Sequence, residues 1–194
     1  FPVSHCSVYQ LTLEPHTFFY KHPPSIPGDD QCWDMEQWIK DSMFSSGYRQ
    51  YEVSAFAKNG LESTHNKNYW KFGDYLGIGA GAHSKISYIN RIMRVEKSKS
   101  PQSYIRKAID GSAVAGSHQV SPVDLPGEFM MNALRLKGGF NLNLFSERTG
   151  LDLDYVMPAI EKSRDQNLVI LEKNFLTPTD LGYRFLNSLI DNFI

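Results

Sequence analysis

At 194 residues, 41% of them apolar and 13% aromatic, the chain carries enough apolar material for a buried core in one large domain or two small ones. Its two cysteines, Cys6 and Cys32, stand far apart with no partner at ligand spacing, which excludes a disulfide framework or a cysteine metal cluster within these residues and fits a reducing cytoplasm. The net charge of −1 hides a segregation: residues 1–57 hold three Lys/Arg against seven Asp/Glu, residues 58–120 ten against four, and residues 121–194 seven against ten. The basic middle favours an acidic small molecule, a nucleic acid or an acidic protein surface, although a solvated basic face carries the same pattern. No apolar run approaches the ~20 residues of a membrane span. The opening Phe-Pro-Val-Ser, without an initiator methionine, reads as a segment of something longer.

In chain order, Cys6 to Leu13 has the β-branched and aromatic content of a strand, ended by Glu14-Pro15. A proline-rich loop from His22 to Asp30 leads into an amphipathic helix from about Asp30 to Ser46, with Trp33, Ile39, Met43 and Phe44 near helical spacing and Gly47 placed to end it. Gln50 to Ala57 reads as a second strand. Strand, helix, strand is a βαβ unit, which normally makes two parallel strands that need covered faces and neighbours on their edges. The chain's own strands do not close such a sheet, so free edges and self-association through them are expected.

The stretch from His65 to Ser84 packs two histidines, four glycines and several large aromatic rings together. Glycine lets backbone approach a flat or bulky ligand, while His65 offers a nitrogen to a metal and Tyr69 and Trp70 offer ring faces. A buried loop between sheet and helix has the same residue types. Gly77-Ile-Gly79-Ala-Gly81-Ala82 matches a dinucleotide fingerprint in form, but a strand-like continuation and the lack of an acidic residue about twenty positions on exclude a nicotinamide site.

Lys85 to Lys97 is expected to be two short strands turning near Asn90, and Ser100-Pro101 to cap a helix bearing Tyr104, Ile105, Ala108 and Ile109 and stopped by Gly111. Residues 112–119 are small and polar and read as a linker. Helices are then expected at Asp124 to Lys137, Leu142 to Thr149 and Asp152 to about Gln166. A hairpin at Leu168 to Leu176 turns near Lys173-Asn174, and a last helix starts from a capping box at Thr177-Pro178-Thr179-Asp180 with proline at its first position. Three helices, a β-wing and a closing helix resemble a winged-helix module; the net −3 of that third opposes duplex DNA, whose binding depends on clustered Lys and Arg, and favours packing or dimer contacts.

Tyr51-Glu-Val-Ser-Ala-Phe-Ala57, then His65-Asn66-Lys-Asn-Tyr69-Trp70, then Gly73-Asp74-Tyr75-Leu76-Gly77-Ile78-Gly79-Ala80-Gly81-Ala82-His83-Ser84 together resemble the oxygen-independent coproporphyrinogen III oxidase-like family of radical S-adenosylmethionine proteins, in its haem chaperone branch. The likeness continues in Glu128 to Leu136, Gly139-Phe140, Glu147 to Gly150 and Leu176 to Thr179, and corresponds to the C-terminal half of a full member. It implies an α/β plus α fold: the final βαβ of a partial (β/α)6 barrel in residues 1–60, a haem-motif loop with a β extension and linker helix in 61–118, and a helical, winged-helix-like domain in 119–194.

The resemblance makes His65 the candidate axial ligand of haem iron, with Asn66, Tyr69 and Trp70 in the haem motif, and places Ala57 against S-adenosylmethionine. It implies a haem chaperone that binds haem and passes it to client proteins; the alternatives are part of a true coproporphyrinogen III oxidase of porphyrin biosynthesis, or a non-catalytic interaction or DNA-binding module. Haem is the cofactor expected of this chain, S-adenosylmethionine and a [4Fe–4S] cluster only of the full-length parent, because the family's Cys-x-x-x-Cys-x-x-Cys is absent here. This polypeptide alone is therefore expected to cleave no S-adenosylmethionine. Haem or porphyrin, haem-receiving clients, a second copy through the barrel edge and, for the parent, a peripheral membrane contact are the expected partners, in the cytoplasm.

Overall fold

The computed structural model describes residues 3–194 and divides the chain into two compact units, 1–63 and 64–194. Among the described residues, the first unit holds two helices, one of them a single turn, and three short strands. Strand β1 (His5–Ser7) is followed by a single-turn helix α1 (Phe18–Lys21), which Thr17 caps by accepting from the Tyr20 amide. Helix α2 (Asp29–Ser45) follows the proline-rich loop. Asp29 and Asp30 sit in its first turn, where carboxylates suit the helix dipole, and Gly47 takes a φ of 83° just past its end.

The expected parallel βαβ is corrected here. Residues 50–57 are not one strand but a hairpin, β2 (Arg49–Glu52) and β3 (Ala55–Ala57), and the sheet order is β1-β3-β2 with both pairings antiparallel. The Gln50 side-chain amide donates to the Val53 carbonyl at 3.0 Å and stabilises the reversal, while the Val8 amide donates to the Ser54 carbonyl at 2.8 Å. β1 and β2 thus run the same way, as the crossover helix demands, but β3 lies between them. Strand β1 also stops at Ser7 rather than reaching Leu13, since residues 8–13 are mostly exposed. Among the described residues of this unit, only Glu52, Ala55, Phe56 and Ala57 are buried; α2 buries no residue, and Trp38 on it is 71% exposed. Arg49 covers part of the helix end, its guanidinium 3.8 Å from the Phe44 ring centre.

In the second unit, helix α3 (Thr64–Trp70) leads through the glycine run into β4 (His83–Tyr88) and β5 (Arg91–Lys97), the hairpin expected around Asn90. Helix α4 (Pro101–Ile109) is capped by Ser100 as expected, yet Ile105 and Ile109 face solvent rather than a core. The linker expected at 112–119 is corrected to a third strand, β6 (Val114–Gln119), antiparallel to β5. Its composition has weak strand propensity, but an available edge on β5 supplies the backbone partners that propensity alone does not.

Helix α5 (Leu125–Ala133) then precedes a two-residue strand β7 (Phe140–Asn141), helices α6 (Asn143–Thr149) and α7 (Met157–Asp165), and the hairpin β8 (Val169–Glu172) and β9 (Phe175–Pro178). The sheet order is β7-β9-β8, and β7 was not foreseen because two residues leave no periodicity to read. Gly139 makes this pairing feasible: at φ 73° any Cβ would overlap the Leu176 carbonyl. The expected last helix is two short ones, α8 (Asp180–Arg184) and α9 (Leu186–Ile190), interrupted at Phe185. Pro178 belongs to β9 rather than to the helix start; Thr179 is the cap, accepting from the Gly182 amide at 2.9 Å. One core unites the unit, drawing Phe72 and Ile92 from its first part together with Phe129, Phe140, Phe145, Ile160, Leu176 and Leu189.

Candidate functional site

Helix α3 carries His65, Asn66, Tyr69 and Trp70, the four residues expected to bind haem, and corrects the expected loop to a helix. Four residues apart on a helix means one face, so His65 shares a face with Tyr69, and Asn66 with Trp70. The first pair looks outward: His65 is exposed, and its ring packs edge-on against Tyr69, centroids 4.8 Å apart at 83°. The second pair turns toward the protein. Trp70 packs against the core, with the Arg135 guanidinium 5.2 Å from its ring centre and its indole N–H buried without a hydrogen-bond partner; Asn66 is half-buried. The motif is therefore split into a presenting face and an anchoring face.

Tyr69 in turn lies against Tyr75, centroids 4.6 Å apart. The Tyr75 hydroxyl accepts from Arg94 on β5 at 2.9 Å, and Arg94 pairs with Glu128 on α5 at 2.6 Å. Tyr75, Arg94 and Glu128 were not singled out from sequence as site residues, because they come from three distant segments and carry no shared motif. Ala57 lies in the other unit, 2% exposed in β3 and opposite His5 and Arg49.

Two glycines of the dense stretch, Gly73 and Gly77, serve the chain's own backbone. A Cβ at Gly73 would overlap the Asn68 side-chain oxygen, and one at Gly77 would overlap the His83 carbonyl. These contacts let Tyr75 form a two-way backbone bridge with Lys85, amide to carbonyl at 3.0 and 3.1 Å. The close approach expected for a ligand is here an approach of loop to strand.

Beneath this loop sits a buried cation. Lys85 is 1% exposed, and its ammonium donates to the Phe72 carbonyl at 3.0 Å, to Asp74 at 2.9 Å and to the Ser87 hydroxyl at 3.1 Å, 4.2 Å from the Phe72 ring centre. Burial pulls its pKa below the usual lysine value, the Asp74 carboxylate opposing that pull. Burial acts to raise the Asp74 carboxyl, but the Ser87 amide, the Lys85 ammonium and the Ser87 hydroxyl together hold it below its ordinary 3.8. A carboxyl whose folded pKa is depressed contributes stability that is present above its unfolded value and lost as pH falls through its folded value. Thermal melts taken downward from pH 3.8 are thus expected to show a loss of stability that is smaller in an Asp74→Asn variant.

As a donor set for haem, α3 fits at the iron: an exposed imidazole on a helix, backed by aromatic rings. Among the described residues, no group of three or more His, Cys, Asp and Glu side chains is placed to hold a metal ion, and no helix is long and apolar enough to cross a membrane.

Residues 120–185 match the family described as the HemN C-terminal domain. By fold, the chain resembles coproporphyrinogen III oxidase (HemN) from Escherichia coli, described as a radical SAM enzyme, with a TM-score of 0.71 and 16% identity over 98% of this chain and 48% of that one. The fold likeness shows an α/β architecture, and residues 120–185 carry the sequence of a HemN C-terminal domain. In sequence the chain is similar to the heme chaperone HemW: 39% identity to that of Haemophilus influenzae and 38% to that of Escherichia coli, over 98% of this chain and 49% and 50% of theirs. The HemW of Bacillus subtilis is 36% identical over 98% of this chain and 51% of that protein. The chain spans about half the length of the curated relatives it matches.

Proposed function

We propose that this chain is the haem-presenting part of a haem chaperone, with His65 as ligand to the iron and Tyr69 beside the macrocycle. One observation carries the reading: in a relative of proteins named heme chaperones, the motif histidine stands exposed on α3 with its ring ordered against Tyr69. Haem is cargo in this reading, and Trp70 and Asn66 fix the helix that presents the ligand. The basic stretch 58–120 suits the acidic side arms of a porphyrin.

Titrating ferric haem into the chain and into a His65→Ala variant tests it. The wild type is expected to develop a histidine-ligated Soret band, and the variant to lose that band and to bind more weakly by more than the 10–100-fold typical of removing a ligand's supporting partner. Equal spectra and equal affinities would remove His65 from the site.

Other features are read in the same frame. The almost coreless residues 1–63, with a bare α2 face, suit a piece of a partial (β/α)6 barrel completed by chain outside these residues; Ala57 is the position that would face the adenosyl cofactor of the parent. The order helix, strand, helix, helix, strand, strand from α5 to β9 supports a winged-helix-like reading of 119–194, with 61–118 as the intervening extension. The net −3 there argues against nucleic acid as its ligand. Cluster thiolates would come from elsewhere in the parent, and we expect no 5′-deoxyadenosine from this chain alone. Haem-receiving clients, self-association through the strand edges of the first unit, peripheral membrane contact of the parent and a cytoplasmic setting complete the proposal. The alternative, a piece of a coproporphyrinogen III oxidase, is favoured by the fold likeness alone, at 16% identity against 36–39% for relatives named heme chaperones.

A further inference from the structure

We infer that Tyr75 is the positioning residue for the His65 imidazole, acting through Tyr69. Tyr75 is fixed at both ends. Its backbone is bridged to Lys85 in both directions, and the residue before it, Asp74, accepts from the Ser87 amide and hydroxyl at 2.8 Å each and from Lys85. At the far end of the side chain, its hydroxyl accepts from Arg94, which Glu128 holds on the other side. A ring held at backbone and hydroxyl is a rigid support, and Tyr69 packs against it, tilted by 53° with centroids 4.6 Å apart.

His65 and Tyr69 sit on a helix of only seven residues. Such a helix is too short to hold its form in water on its own intrinsic stability, so its exposed side chains take their orientation from what they pack against. The sequence of contacts is continuous: Glu128 to Arg94, Arg94 to Tyr75, Tyr75 to Tyr69, Tyr69 to His65. The imidazole is thereby oriented from the sheet and from α5 rather than from α3 itself. This rests on the reading of His65 as a haem ligand for its consequence, but not for its geometry.

The test therefore has two arms. In the haem-free protein, nuclear Overhauser contacts between the His65 and Tyr69 rings are measured in wild type, Tyr75→Phe and Tyr75→Ala. They are expected to weaken in Tyr75→Phe, which keeps the ring but releases Arg94, and to vanish in Tyr75→Ala. In the second arm, Tyr75→Phe is expected to bind ferric haem about tenfold more weakly, with a smaller histidine-ligated fraction, while its melting temperature stays near wild type. Ring contacts unchanged in both variants overturn the inference. Should the wild type bind no haem through His65, the functional reading fails while the first arm still decides the positioning.

Discussion

Replacing Phe129 with alanine is expected to cost about 3–5 kcal/mol, the range for emptying a fully buried phenylalanine site. Phe129 is 0% exposed on α5, and three rings meet it edge-on: Phe72 at 5.7 Å, Phe140 at 5.5 Å and Phe145 at 5.3 Å between centroids. Each such pair adds about 0.5–1.5 kcal/mol beyond burial. Partial collapse offsets little, because its neighbours are themselves rings pinned by α6, β7 and the Lys85 network and have few ways to fill the hole. A urea midpoint shifted strongly downward at constant slope confirms the figure, with Phe129→Leu falling between variant and wild type. A loss below about 1 kcal/mol would mean that the second unit is held by something other than this core.

Lys85→Ala is the second large effect. It removes three hydrogen bonds, leaves the Phe72 carbonyl without its donor and empties the space of the lysine stem. Breaking a fully buried ion pair costs about 3–5 kcal/mol, but the Asp74 side chain is 44% exposed and keeps its Ser87 bonds, so about 2–3 kcal/mol is expected. Lys85→Met separates the causes. It restores the apolar stem over Phe72 and forfeits only the polar contacts, so it is expected to recover roughly half of the loss. Chemical denaturation of both variants at neutral pH gives the comparison, and equal losses would assign the whole effect to the hydrogen bonds.

What the sequence disclosed follows from the range of the forces involved. Helix α2, the cap at Ser100 and the hairpins at Asn90 and Lys173-Asn174 rest on contacts a few residues apart, and they stand where spacing and turn chemistry put them, whereas the last helix starts two residues later than its Thr-Pro signal because β9 takes Thr177 and Pro178. Pairing partners are decided across the chain. Nothing local in Gln50 to Ala57 says that it folds back and inserts β3 between β1 and β2, and nothing in Val114 to Gln119 announces β5 as a neighbour. The site divides in the same way: His65 and Tyr69 were legible as candidate residues but were expected in a loop, and helix α3 corrects that by setting them on one face, whereas Arg94 and Glu128 lie 34 positions apart and meet only through the tertiary fold. Lys85 shows the limit most plainly, since a lysine in a polar alternating strand reads as a solvent-facing residue and is instead 1% exposed.

The central claim is that an exposed imidazole on α3 takes the iron of haem, and imidazole rescue addresses it directly. Ferric haem is added to a His65→Gly variant, and the Soret spectrum is recorded before and after addition of free imidazole. The account predicts that the variant alone lacks the histidine-ligated spectrum of the wild type and regains it when imidazole enters the vacated position. A variant whose spectrum already equals that of the wild type before imidazole is added would contradict it.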